Sequence, residues 1–196
     1  MESKFKQTME AFDKVNSQDP FMELVNGEEM PKELLYSQRM TEMLLEFYPT
    51  ASETLQLAAR CQHIRRWAIP RDDYPMDRKG YLEWRTALKK FHGKLAAEIM
   101  AENGYGEEAI SKVDDLLNKR RLKTDPEVQA LEDVVCLVFL KYYFDPFIAK
   151  HKEEETKLID IVQKTWRKMS PKGHDAALAM SHSTAALAIV QKALQD

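Results

Sequence analysis

Apolar side chains recur every three or four residues along almost the whole chain, and that period restricts the fold to packed helices. Phe5, Met9 and Phe12 mark a first helix, and Leu34, Leu35, Met43, Leu44 and Phe47 a second. Tyr81, Trp84, Leu88, Phe91, Leu95, Ile99 and Met100 form one stripe of a long helix that ends at Asn103-Gly104. Ala109, Ile110, Val113, Leu116 and Leu117 mark a shorter one, and Leu158, Ile161, Val162 and Trp166 another. The run VVCLVFL, Val134 to Leu140, is apolar on nearly every side, and with no alternating partner strand in the sequence it reads as a central buried helix.

Punctuation sets the boundaries. The segment from Ser17 to Pro31 reads as a loop. Thr50 and Glu53 fit a capping box that opens a helix from Ala51 to Trp67, stopping near Pro70. Trp67 to Tyr81, with two prolines, a glycine and no apolar period, is a loop between helices. Asp125-Pro126 starts the helix that Pro146 must kink or restart. Ser170-Pro171 caps a last, Ala-rich helix carrying Leu178, Leu187, Val190 and Leu194. The expectation is an all-α protein of about eight helices, with a main domain over residues 1–150 and a C-terminal helical hairpin over 151–196 packed on it as a single globular unit.

With 196 residues, 44% hydrophobic and 31% charged, the chain has the composition of a folded domain and not of a disordered segment. No apolar run approaches the ~20 residues of a membrane helix, and the charged start MESKFKQTMEAFDK lacks the apolar centre of a secretory signal, so a cytoplasmic location away from membranes is expected. Cys61 and Cys136 both sit in apolar helical patterns and read as reduced core residues.

Charge is unevenly spread. Residues 1–59 carry 5 basic and 11 acidic side chains, residues 60–94 carry 10 and 4, and residues 95–196 carry 14 and 17. The basic island is built mostly of Arg60, Arg65, Arg66, Arg71, Arg78 and Arg85, whose guanidinium forks match phosphate and carboxylate oxygens. Interleaving with Trp67, Tyr74, Tyr81 and Trp84 also suits stacking on nucleobases, while pairing with acidic helices of the same fold, and Trp67 and Trp84 as core anchors, remain the structural readings. Near this island His63 lies in AARCQHIRRW, and His92 borders the core on the stripe of Arg85, Leu88 and Ala96. Asp133 follows Glu132 and shares a face with Cys136, Leu137 and Leu140, where an unpartnered charge is costly. It needs a His, an Arg, or a metal ion.

The order of these residues resembles the HD-domain phosphohydrolases. Ala58, Ala59, Arg60, Cys61, Gln62 and His63 resemble that family's AALLHD segment, His92 its additional mid-helix His, and Asp133 its distant Asp. The chain departs from the pattern at Tyr36-Ser37, where the family has its first His, and at Gln62-His63, where it has His-Asp. The strings LLYSQRM, AARCQHIRRWAIPR, YPMDRKGYLEWR, FHG and LEDVVCLVFLKYYF also resemble, over residues 30–150, a conserved family defined as a domain of unknown function.

The resemblance implies an HD-like domain binding a phosphorylated small molecule or nucleotide. His63 and Asp133 are its candidate catalytic residues, and His92 together with the basic-island residues Arg65, Arg66, Arg71, Arg78 and Arg85 are the candidate ligand-binding ones. One divalent metal ion, held by His63, His92 and Asp133 or alternatively Glu132, would lower the pKa of a bound water for attack on phosphorus. The departures remove ligands from that set. A non-catalytic module binding RNA or an acidic partner through the same arginines is the alternative, and a purely structural role for the His and Asp contacts is a third.

Overall fold

The computed structural model describes residues 3–122 and 124–195 and divides the chain into two compact units, Met1–Val128 and Gln129–Asp196. The division falls within a helix, whereas the sequence placed its boundary at residue 150. Among the described residues there are ten α-helices and one small two-stranded sheet, so the protein is predominantly all-α. None of these helices is long and apolar enough to cross a membrane.

The first unit opens with α1 (Lys4–Asn16), a hairpin of β1 (Met22–Val25) and β2 (Glu28–Pro31), and α2 (Lys32–Phe47). The hairpin corrects the expected loop. Asn26 and Gly27 both have positive φ, 53° and 87°, the pair of left-handed residues that a tight antiparallel turn demands, and Val25 pairs with Glu28 across it. Gly27→Ala should therefore cost about 1 kcal/mol, read as a shift of the urea midpoint, because a Cβ at that φ strains the backbone. Asp19, buried behind the hairpin, accepts the N–H of Phe21 with one carboxylate oxygen and that of Glu33 with the other. It supplies the cap that Pro31 lacks and fixes the first turn of α2.

The third helix is shorter than expected: α3 runs from Glu53 to Arg60, with Ser52 and not Thr50 as its cap, accepting the N–H of Leu55. The chain then turns, because Arg65 takes a left-handed conformation (φ 51°) stabilised by its N–H donating to Oδ1 of buried Asn16 on α1. Arg60 is clamped to Asp13 of α1 by two hydrogen bonds of 2.7 and 2.6 Å. Both anchors are tertiary, which is why helical periodicity ran past the real end.

Two short 3₁₀ turns, Arg66–Ala68 and Arg71–Asp73, lead to α4 (Arg78–Glu102), capped by Asp77, and then α5 (Glu107–Leu117). Gly80 is required here, since a Cβ would stand 2.1 Å from the backbone oxygen of Pro75. Helices α1 to α5 pack together over Phe12, Met40, Leu44, Leu55, Leu57, Ile64, Met100, Val113 and Leu116, all fully buried or nearly so. Helix α6 (Pro126–Val138) crosses the division between the units.

In the second unit α6 passes into a π-helical turn, Phe139–Tyr143, before α7 (Phe144–Lys150). The restart expected at Pro146 is thus real and placed at the first turn of α7, where proline is tolerated. Helix α8 (Glu155–Trp166) follows. The single Ala-rich last helix is in fact two, α9 (Pro171–Ala179) and α10 (Thr184–Leu194), because Ser183 starts a new cap by accepting the N–H of Ala186. Helix α10 packs on α7 and α8.

Candidate functional site

His63 sits in the turn after α3 and gathers polar groups from three helical elements. From α2, Tyr36 stacks on its ring at 4.2 Å between centroids and 12° between planes. Also from α2, Oε2 of Glu33 lies 3.6 Å from its Nδ1. From α4, the ring of His92 comes within 6.0 Å. Arg66 brings Nη1 to 3.0 Å from Nε2 and 3.4 Å from Nδ1. A guanidinium can only donate, so the closer contact assigns the Nε2 lone pair to Arg66 and leaves the ring proton on Nδ1, on the side of Glu33.

The resemblance placed a histidine where Tyr36 stands, and that position does come against His63. Its neighbour Ser37 instead turns its hydroxyl back to the carbonyl of Leu34.

Burial and charge keep both imidazoles neutral. The pKa of His63 is held well below its ordinary value, first by loss of hydration and then by Arg66, Arg85, Lys119 and Lys32. A quarter of its side chain, 24%, still meets solvent. His92, only 4% exposed, is pushed down to about 3 by burial and by His63, against the opposing hydrogen bond from its Nδ1 to the carbonyl of Ile64 at 2.8 Å. Glu33 moves the other way, its carboxyl raised by burial despite Arg66 and Lys32 nearby. The site thus sets a buried carboxyl and two neutral imidazoles beside the Arg66 guanidinium.

The candidate arginines separate by what each already holds. Arg71 donates to the carbonyls of Tyr74, Pro75 and Asp77, stapling the loop between Trp67 and Tyr81. The same loop is fixed by Nε1 of buried Trp84 donating to Ile69, so Trp84 is the core anchor that the sequence offered as one reading. Trp67 is half-buried. Arg66 lies over the Trp84 ring, 4.9 Å from its centroid, with the guanidinium also at His63. Arg85 is exposed beside Tyr81, and Arg65 and Arg78 are exposed. Arg60, spent on Asp13, is a fold residue.

The expected metal trio does not form. Among the described residues no group of three or more His, Cys, Asp or Glu is arranged to hold a metal ion. Asp133, in the second unit, has its carboxylate engaged: Oδ1 accepts from the backbone N–H of Ser170 at 2.8 Å and from Gln129 at 3.1 Å, and Oδ2 accepts from the Ser170 hydroxyl at 2.5 Å. The inward carboxylate that the sequence flagged finds its partner in a helix cap. Neighbouring Glu132 is equally buried, at 3% exposed. Glu33 was the residue that sequence reasoning missed, since an acid in the first turn of a helix after a proline looks like an ordinary dipole partner.

Comparison with known proteins adds one positive finding. Neither a curated protein nor a solved structure matches the chain. A family model described as "Domain of unknown function (DUF4202)" matches residues 6–190. That match covers nearly the whole chain, and the protein accordingly belongs to the DUF4202 family.

Proposed function

We propose that the first unit binds a phosphorylated small molecule or nucleotide, with the phosphate on Arg66 and Arg85 and the remainder of the ligand against His63, Glu33 and His92. The observation that carries this reading is the Arg66 guanidinium held 3.0 Å from the neutral ring of His63, with Arg85, Lys119 and Lys32 adding positive field at that ring, a combination that lowers the cost of bringing in an anion. The approach of Tyr36, His63 and His92 supports an HD-like ancestry for the site. The proposal is one of binding, because Asp133, which the resemblance offered for metal-assisted hydrolysis, is engaged by Ser170.

The test is calorimetry with a mononucleotide and a sugar phosphate at neutral pH, on the wild-type chain and on an Arg66→Ala, Arg85→Ala double variant. Two charge-assisted hydrogen bonds to phosphate should be worth at least about tenfold in affinity. Equal affinity in both proteins refutes the reading. Preferential binding of single-stranded RNA, lost in the same variant, would move the assignment to the RNA-binding alternative.

A further inference from the structure

Three buried side-chain atoms among the described residues have no hydrogen-bond partner: Oε2 of Glu33, Oε1 of Gln62 and Nε2 of His92. Buried polar atoms are almost always satisfied, so an orphan marks a place where water or a ligand belongs. Two of the three flank one imidazole, with Glu33 Oε2 3.6 Å from Nδ1 of His63 and the His92 ring 6.0 Å from the His63 ring. Gln62 is the residue beside His63 in the same turn.

All three are acceptors. The carbonyl of Ile64 can only accept, so the proton of neutral His92 is on Nδ1 and its Nε2 carries a bare lone pair. The amide oxygen of Gln62 accepts by its nature, and Glu33 Oε2 faces the N–H edge of His63. What completes this interior must therefore donate. An ammonium group or a metal ion would bring its charge beside the Arg66 guanidinium, which stands 3.0 Å from the His63 ring. A hydroxyl donates without bringing charge.

We infer that the ligand of this site is a hydroxylated phosphate monoester, a polyol or sugar phosphate whose hydroxyl groups donate to Nε2 of His92 and Oε2 of Glu33 while its phosphate rests on Arg66. The phosphate half of this inference rests on the function proposed above, and the hydroxyl half stands on the orphan acceptors alone.

The experiment compares methyl phosphate, glycerol 3-phosphate, ribose 5-phosphate and free ribose. Affinities are measured by calorimetry, and the Nε2 resonance of His92 is followed by nitrogen NMR in the full chain. The hydroxylated esters should bind about tenfold tighter than methyl phosphate and shift the His92 Nε2 resonance, as one good hydrogen bond to a buried acceptor provides. In Glu33→Gln that advantage should shrink, because one acceptor can be replaced by a donor. Equal affinity for methyl phosphate and glycerol 3-phosphate with no His92 shift overturns the hydroxyl inference and leaves phosphate binding standing. A His92 shift with ribose but no affinity for any phosphate keeps the hydroxyl subsite and refutes the phosphate reading. If no compound moves His92 Nε2, the acceptors hold water alone and the inference is wrong, whether or not Glu33→Gln folds.

Discussion

Acidification from pH 7 to pH 4 should remove about 3 kcal/mol of stability from the Met1–Val128 unit through His92 alone. The folded-state pKa of His92 is about 3 against an ordinary 6.5, so between those values the unfolded chain takes up a proton that the folded chain refuses. The contribution is complete above the unfolded value and is lost as pH falls toward 3. His63, also held well below its ordinary value, acts in the same direction. Glu33 acts in the opposite one, because a carboxyl with a raised folded-state pKa binds its proton more tightly in the folded chain. The His92 share is isolated by comparison with His92→Gln, whose amide still donates to Ile64. Urea unfolding would be followed by Trp67 and Trp84 in a Trp166→Phe background. The wild-type slope between pH 6 and pH 4 should exceed that of the variant by about 1 kcal/mol per pH unit. Parallel pH profiles would show that His92 is not held neutral in the folded core.

That acid sensitivity comes from the same neutral imidazoles on which the proposed anion site rests. A neutral imidazole below a cluster of cations does not add to their repulsion, and a bound phosphate would relieve it. A phosphate ester should then raise the pKa of His63, because its negative charge offsets the nearby Arg66 and Arg85. Under that proposal, binding and protonation are linked through His63, which still touches solvent.

Much of the helical frame was legible because its residues are periodic. The stripe from Tyr81 to Met100 lies in α4, Asn103-Gly104 ends it with Gly104 at φ 83°, and the short helix around Val113 is α5. The hairpin was hidden by a stretch of polar and apolar residues too short for a period, although Asn26-Gly27 was the local signal for it. The end of α3 was illegible for a different reason. Nothing near Arg60 in sequence announces that Asp13 and Asn16, 47 and 49 residues from their partners, will hold the turn. The site divides in the same way: His63 and His92 were visible as polar residues at the margin of apolar stripes, and they do meet. Glu33 became visible only when Asp19 fixed the first turn of α2 and the helix buried that side chain.

Asp133→Ala should destabilise the second unit by about 3 kcal/mol or more, with no metal present. The carboxylate joins α6 to the start of α9, where Ser170 is both its partner and the cap of the helix, with Oγ accepting from Gly173 and donating to Asp133. Removing it leaves the Ser170 N–H without its 2.8 Å acceptor and lets the hydroxyl turn away from the position that caps α9. Two hydrogen bonds to a charged group, at roughly 1.5 to 3 kcal/mol each, set the magnitude. The approach is close on the other side as well, since a Cβ on Gly173 would stand 2.7 Å from Oδ1, so a side chain at residue 173 would press on the carboxylate. Unfolding would be read by Trp166, which stacks on His174 of α9 at 4.0 Å between centroids. Asp133→Asn should cost less than Asp133→Ala, because the amide oxygen still accepts the Ser170 N–H. The coupling between Asp133→Ala and Ser170→Ala in a double-mutant cycle should exceed about 1 kcal/mol. A metal ligand would behave otherwise, losing little stability in metal-free protein and showing no coupling to Ser170. A loss below 1 kcal/mol for Asp133→Ala, with the two substitutions additive, would remove the cap as the reason for a buried aspartate at this position.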